Sequence, residues 1–216
     1  MFKNRFGQPS TKNSSKDNPG TRVAAEHPDK IDYGAPLSAD TIFKLINSSM
    51  QFRQHLYLVG ANISGARLPH ALLPGARLAH AQLNGANLQG AYLVKAWLPD
   101  AEVRGADLRA AHLSEAVMNG ADLRFANLHR ANLSDAHMEM ADLRGANLTD
   151  ASLKGADMQN ANLEGADLYG SNLEDANLRE ARYTTVRDTF SLDMEHMPTI
   201  WPEGFDPEAE GCKLVR

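Results

Sequence analysis

The sequence predicts an all-β solenoid, on three observations. From Ala61 to Ala181 every fifth residue is alanine, with Ser171 the one exception. Two positions after each of these stands a large apolar residue: nineteen Leu, three Met, and Ile63, Val103 and Tyr183, without insertion or deletion across twenty-five copies. Eleven glycines, from Gly60 to Gly170, all fall two positions beyond a large apolar residue. This period suits neither a long helix nor a straight strand. On a helix, five residues advance the azimuth by about 140°, which winds the leucines around the whole cylinder. On a strand, an odd period sends successive leucines to opposite faces. A chain that turns a corner once per repeat instead points Ala and Leu inward together and leaves three residues outside.

Each element follows in order along the chain. Residues 1–36, rich in Asn, Ser, Lys, Pro and Gly, read as a disordered polar tail. Residues 37–57 read as an N-terminal capping helix, with Ser38 at the N-cap and Ile42, Phe43, Leu45, Ile46 and Met50 on an apolar stripe. Residues 58–183 are the repeats. The glycines sit where tight corners burden other residues sterically, and Asp or Asn lies between Ala and the large residue in thirteen copies, placed to accept from turn amides. Residues 184–216 read as a C-terminal capping segment, since a bare solenoid end invites another to stack on it.

The unit Ala-(Asp/Asn)-Leu-x-x, as in Ala-Asn-Leu-Gln-Gly at 86–90 and Ala-Asp-Leu-Arg-Gly at 141–145, resembles the pentapeptide-repeat proteins over roughly residues 58–183. The resemblance implies a right-handed quadrilateral β-helix with four repeats per coil, hence about six coils at ~4.8 Å each. The run Thr199-Ile200-Trp201-Pro202-Glu203-Gly204-Phe205-Asp206-Pro207 is similar to a segment that follows the repeats in many cyanobacterial members, which implies that Trp201 and Phe205 pack on the last coil.

With four repeats per coil, residues twenty apart stack in columns. Inward, Leu68 to Leu168 and Leu73 to Leu173 form two ladders, and a third runs Leu78, Leu98, Met118, Met138, Met158, Leu178. The three thioethers read as core packing rather than a soft-metal site. Outward, Glu102, Asp122 and Asp142 stand beside Arg104, Arg124 and Arg144, a solvated ion-pair lattice. The exception is apolar. Leu72 and Tyr92 share one outward column, Trp97 and Val117 the next, with Pro74 and Val94 close by. Leu72, Tyr92, Val94, Trp97 and Val117 are therefore the candidate partner-binding residues, because exposed aromatic anchors carry interface energy. The competing expectation is that the N-terminal segment folds back over them.

Composition narrows the function further. A net charge of -5 disfavours direct nucleic-acid binding, and no run of eighteen apolar residues exists to span a membrane. The lone Cys212 and a polar N-terminus favour the cytoplasm. His70, His80, His112, His129 and His137 fall in separate places, so neither metal nor cofactor is expected, and no nucleophile or phosphate-loop motif is present. The expected function is a non-catalytic scaffold that binds another protein, without a small-molecule substrate, with a homodimer through a terminal segment as a further possibility. The alternative is a DNA mimic acting on a type II topoisomerase, as some relatives implied by the resemblance do. Those relatives carry Phe at the centre and an acidic face, whereas here fifteen acids interlace with eleven bases between Leu58 and Tyr183.

Overall fold

The structure, a computed structural model, describes residues 36–51, 55–184 and 199–214, all within the compact unit Ile31–Arg216. The expected tail over 1–36 falls, apart from Pro36, outside the described residues, as does any cover it forms over the apolar patch.

Each repeat contributes one straight edge and one corner. Residues twenty apart pair in parallel without a break from Tyr57↔Arg77 to Asn162↔Arg182, so four repeats close each coil and the section is a quadrilateral. The repeat at 126–130 shows why five residues suffice. Ala126 N–H closes the preceding corner on Leu123 O at 3.0 Å, Asn127 N–H reaches back one coil to Ala106 O at 2.9 Å, and Leu128 N–H reaches forward to Asn147 O at 2.7 Å. Arg130 N–H also reaches forward, to Thr149 O at 3.0 Å. The fifth amide, His129 N–H, has no carbonyl in reach and is taken by the Asn127 side chain, Oδ1 at 3.2 Å. Every backbone donor of the repeat is thereby satisfied.

The same side-chain bond recurs at all thirteen Asp and Asn positions between Ala and the large residue, from Asn62 to Asn177. Corner geometry is as uniform. The residue two beyond the large apolar one holds φ between +53° and +69° in all twenty-five corners, and fourteen of these are not glycine. Glycine marks this conformation without being required for it, because the coil-to-coil bonds on both sides of each corner hold other residues there.

Inside, alanine and leucine ladders form one continuous core, and Leu128, Leu148 and the Met138–Met158 step are fully buried. Only the outermost turns of the core loosen: Ala66, Leu68 and Ala71 at one end, Leu173 and Ala176 at the other, are partly buried. Helix α1, Ala39–Gln51, lies at the first end. Ser38 Oγ accepts from Thr41 N–H at 3.2 Å as an N-cap. Ile42 and Ile46 are buried in the core, with Leu37 and Leu45 beside them. Phe43, expected on the same stripe, is 63% exposed, because one residue advances the helix azimuth by about 100° and carries it off the face of Ile42 and Ile46.

At the other end, Ile200 pairs with Asp167, and Thr199 Oγ1 donates to Leu163 O at 2.7 Å while accepting from Thr184 N–H at 3.1 Å. Strand β1, Arg182–Tyr183, pairs in parallel with β2, Lys213–Leu214. Trp201 meets Tyr183 edge-on at 5.7 Å and stacks on Phe205 at 4.9 Å. Residues 199–214 thus continue the coil-to-coil hydrogen bonding on two faces of the solenoid.

Candidate partner-binding face

The amide that only a side chain serves explains where the surface is free to vary. Each outward residue between Ala and the large apolar one either caps its own corner or leaves that amide to another solution. At Arg67, Leu72 and Trp97 the solution is proline: Pro69, Pro74 and Pro99 occupy the corner position and have no N–H to satisfy. Proline also presets φ near −65°, which suits the first central position of these turns. The corners beside Leu72 and Trp97 therefore hold without Asp or Asn, and the outward side chain is released for another purpose.

Two of the four outward columns never use that release for apolar residues. From Asn62 to Arg182 one column carries only Asn, Gln, Glu, Asp or Arg, and from Arg67 to Asp167 the second carries only Arg, Asn or Asp. The remaining two are neighbours around one edge. In one, Leu72 pairs with Tyr92 and Tyr92 with His112; in the other, Tyr57, Arg77, Trp97 and Val117 pair in succession. Leu72, Tyr92 and Trp97 are 43%, 45% and 39% exposed. Pro74 is exposed and Val94 half-buried at the corner between the columns, and Val117 is half-buried. Two contacts organise the patch. The Tyr92 ring stacks on His112 at 4.3 Å and 15°, and the Arg77 guanidinium lies 5.1 Å from the Trp97 ring centroid.

Tyr57, His112 and Arg77 were absent from the candidates read from sequence. Tyr57 lies one coil before Arg77, in a segment assigned to the capping helix, so column arithmetic begun at residue 58 does not reach it. His112 and Arg77 are polar by type and join the patch only through their ring contacts.

The ion-pair lattice forms in part. Arg124 donates to Asp122 through Nε at 2.8 Å and Nη2 at 2.6 Å and also lies 3.6 Å from Asp142, which Arg144 clamps in turn at 2.8 Å. The hydrogen bonds from Arg124 hold the Asp122 carboxyl below its ordinary value, and those from Arg109 do the same for Asp107. The first step of the lattice is different: Glu102 accepts from Asn84 Nδ2 at 2.8 Å, and Arg104 lies 5.4 Å from the Phe125 ring centroid while its charge adds a smaller downward pull on the Asp122 carboxyl. Phe125 occupies a corner position, φ +57°, where sequence reading gave no sign that its ring reaches a neighbouring coil.

Among the histidines, His129 Nδ1 lies 2.7 Å from Thr149 Oγ1 and His80 lies 3.8 Å from Asp100. Among the described residues no three His, Cys, Asp or Glu side chains gather in a metal-holding group. No helix among them is long and apolar enough to cross a membrane.

Comparison with known proteins places this geometry. A pentapeptide-repeat protein from Nostoc PCC 7120, alr5209, is 32% identical over 53% of this chain and 84% of its own, with a TM-score of 0.47. HetL of the same strain, described as involved in heterocyst differentiation regulation, is 34% identical over 61% of this chain and 64% of its own, with a TM-score of 0.43. QnrB1, a plasmid-mediated fluoroquinolone resistance protein, is 16% identical over 75% of this chain and 79% of its own, with a TM-score of 0.27. No functionally curated sequence matches the chain. The family model for pentapeptide repeats matches eight copies across residues 57–93, 101–139 and 146–182. With that match over the coils described above, the chain belongs to the pentapeptide-repeat proteins, whose fold is the right-handed quadrilateral β-helix.

Proposed function

We propose that this protein is a non-catalytic cytoplasmic scaffold of about six coils, and that Leu72, Tyr92, Val94, Trp97 and Val117 form its docking surface for another protein. One observation carries the reading: at the outward position between Ala and the large apolar residue, exposed apolar side chains gather at Leu72, Tyr92 and Trp97 in the early part of two adjacent columns, where proline or an uncapped amide replaces the Asp and Asn used elsewhere. The exposed Val59, Met140 and Tyr169, by contrast, lie singly at other positions of the repeat. A solvated rod has no use for that segregation, whereas an interface core does. Helix α1 and residues 199–214 serve as caps that keep the rod from stacking end to end. The topoisomerase-directed alternative calls for an unbroken acidic face, and the arginine clamps on Asp122 and Asp142 work against it.

The test compares capture of cellular proteins by the wild type and by a Tyr92→Asp/Trp97→Asp variant of the full chain. Both sites point outward, so the variant keeps its β-type circular dichroism. The proteins specific to the wild type are lost; retention of all of them by a folded variant refutes the docking surface. A gyrase supercoiling assay adds the second arm, with no inhibition or protection expected at micromolar protein.

A further inference from the structure

Charge is distributed unevenly along the solenoid, and the apolar patch of the two columns falls in its acid-free part. Residues 55–99 contain no Asp or Glu, and they carry Arg67, Arg77 and Lys95 together with His55, His70 and His80. From Asp100 to Thr184 there are fifteen acids and eight bases. The exposed Leu72, Tyr92 and Trp97 all lie in the acid-free part.

The cations at the patch differ in what they already hold. Lys95, at the corner between the two apolar columns, pairs with Glu115 one coil on at 3.1 Å. Among the described residues no carboxylate pairs with Arg77 or Arg67. Arg77 rests against the Trp97 ring, which shields one face of a weakly hydrated guanidinium and leaves its donors for a planar acceptor. An aromatic ring backing an arginine is the composition of an interface hot spot, and the complement of a guanidinium is a carboxylate. The acidic coils beyond Asp100 repel the same ligand, which directs it to this end of the rod.

Resting on the docking surface proposed above, we infer that its occupant is an acidic segment of another protein, with apolar side chains that lie on Leu72, Tyr92 and Trp97 and a carboxylate that meets Arg77. Specificity then comes from the pairing of an apolar anchor with a charge. A neutral apolar segment lacks the carboxylate, and a basic one meets Arg67, Arg77 and Lys95.

The experiment pans a phage-displayed library of short random peptides against the full chain, and measures an enriched peptide and its Glu→Gln/Asp→Asn counterpart by fluorescence anisotropy. The enriched peptides are acidic with Leu, Phe or Trp, and neutralising their carboxylates weakens binding. Arg77→Glu weakens it by about tenfold or more, as does raising salt from about 50 to about 500 mM. If Arg77→Glu does not fold, the exposed Arg67→Glu and the salt dependence decide. Enriched peptides that are neutral or basic overturn the inference, as does binding indifferent to charge reversal and salt; if Tyr92→Asp/Trp97→Asp still abolishes that binding, the docking surface itself survives. Peptides bound equally by the Tyr92→Asp/Trp97→Asp variant, or no enrichment at all, overturn both. A dimer in light scattering that this variant dissociates makes the face a contact between copies of the chain and also overturns the acidic partner.

Discussion

Substituting glycine into a well-ordered β protein ordinarily costs stability, and here the corner geometry reverses the sign. Ala110 is exposed and holds φ +53° in the left-handed region. An L-residue is disfavoured there by roughly 1–2 kcal/mol. Glycine removes that burden but gains unfolded-chain entropy worth roughly 0.4–1 kcal/mol. Ala110→Gly therefore stabilises by about 0.5–1 kcal/mol. The reverse change gives the control. Gly105 holds φ +64° with no atom within 4 Å of an added Cβ, so Gly105→Ala exposes the backbone term alone and costs about 0.5–1 kcal/mol. Gly145→Ala at φ +63° costs more, since the new Cβ stands 2.6 Å from Cε1 of Phe125 and that ring must leave its place beside Arg104. Urea denaturation followed by circular dichroism reads all three, with hydrogen exchange at the affected coil to detect local opening in a repeat array. A loss of stability in Ala110→Gly, or equal losses in Gly105→Ala and Gly145→Ala, refutes the account of the corners.

Leu128 is fully buried, so Leu128→Ala costs about 3–5 kcal/mol, and the partly buried Leu173→Ala costs well under half of that in the same urea titration. Asn127→Ala removes the acceptor for His129 N–H and costs about 1 kcal/mol, measurable as faster exchange of that amide. The carboxyls of Asp107 and Asp122 are held below their ordinary 3.8 chiefly by hydrogen bonds from Arg109 and Arg124. Their contribution is complete above that value and lost as pH falls through the lowered ones, so acid unfolding of Asp122→Asn is less steep than that of the wild type below about pH 4. Burial, with a smaller effect from Glu210, pushes the Cys212 thiol up to about 11. Iodoacetamide at pH 8 therefore modifies it far more slowly in the native protein than in urea, and equal rates count against the packing of residues 199–214.

A solenoid that turns once per repeat was legible because a five-residue rule repeated twenty-five times leaves few backbones that bury every Ala and Leu together. The Asp and Asn positions were legible for a related reason: their bonds are local, two residues along the same chain, and local chemistry travels with local sequence. The column of Leu72 and Tyr92 and that of Trp97 and Val117 followed from the twenty-residue repeat once the number of repeats per coil was supplied by family resemblance.

What the sequence by itself determined, then, is the inward half of this protein, because burial admits only a short range of side chains and imposes its period on the chain. Contacts between coils were decided only in three dimensions. Arg104 lies beside the Phe125 ring, Tyr92 takes His112, Phe43 turns away from the core, and fourteen corners adopt a glycine conformation without glycine. Each of these depends on side-chain direction and on partners about twenty residues or more away, and an outward position tolerates so many residue types that its identity alone does not reveal which neighbour it meets.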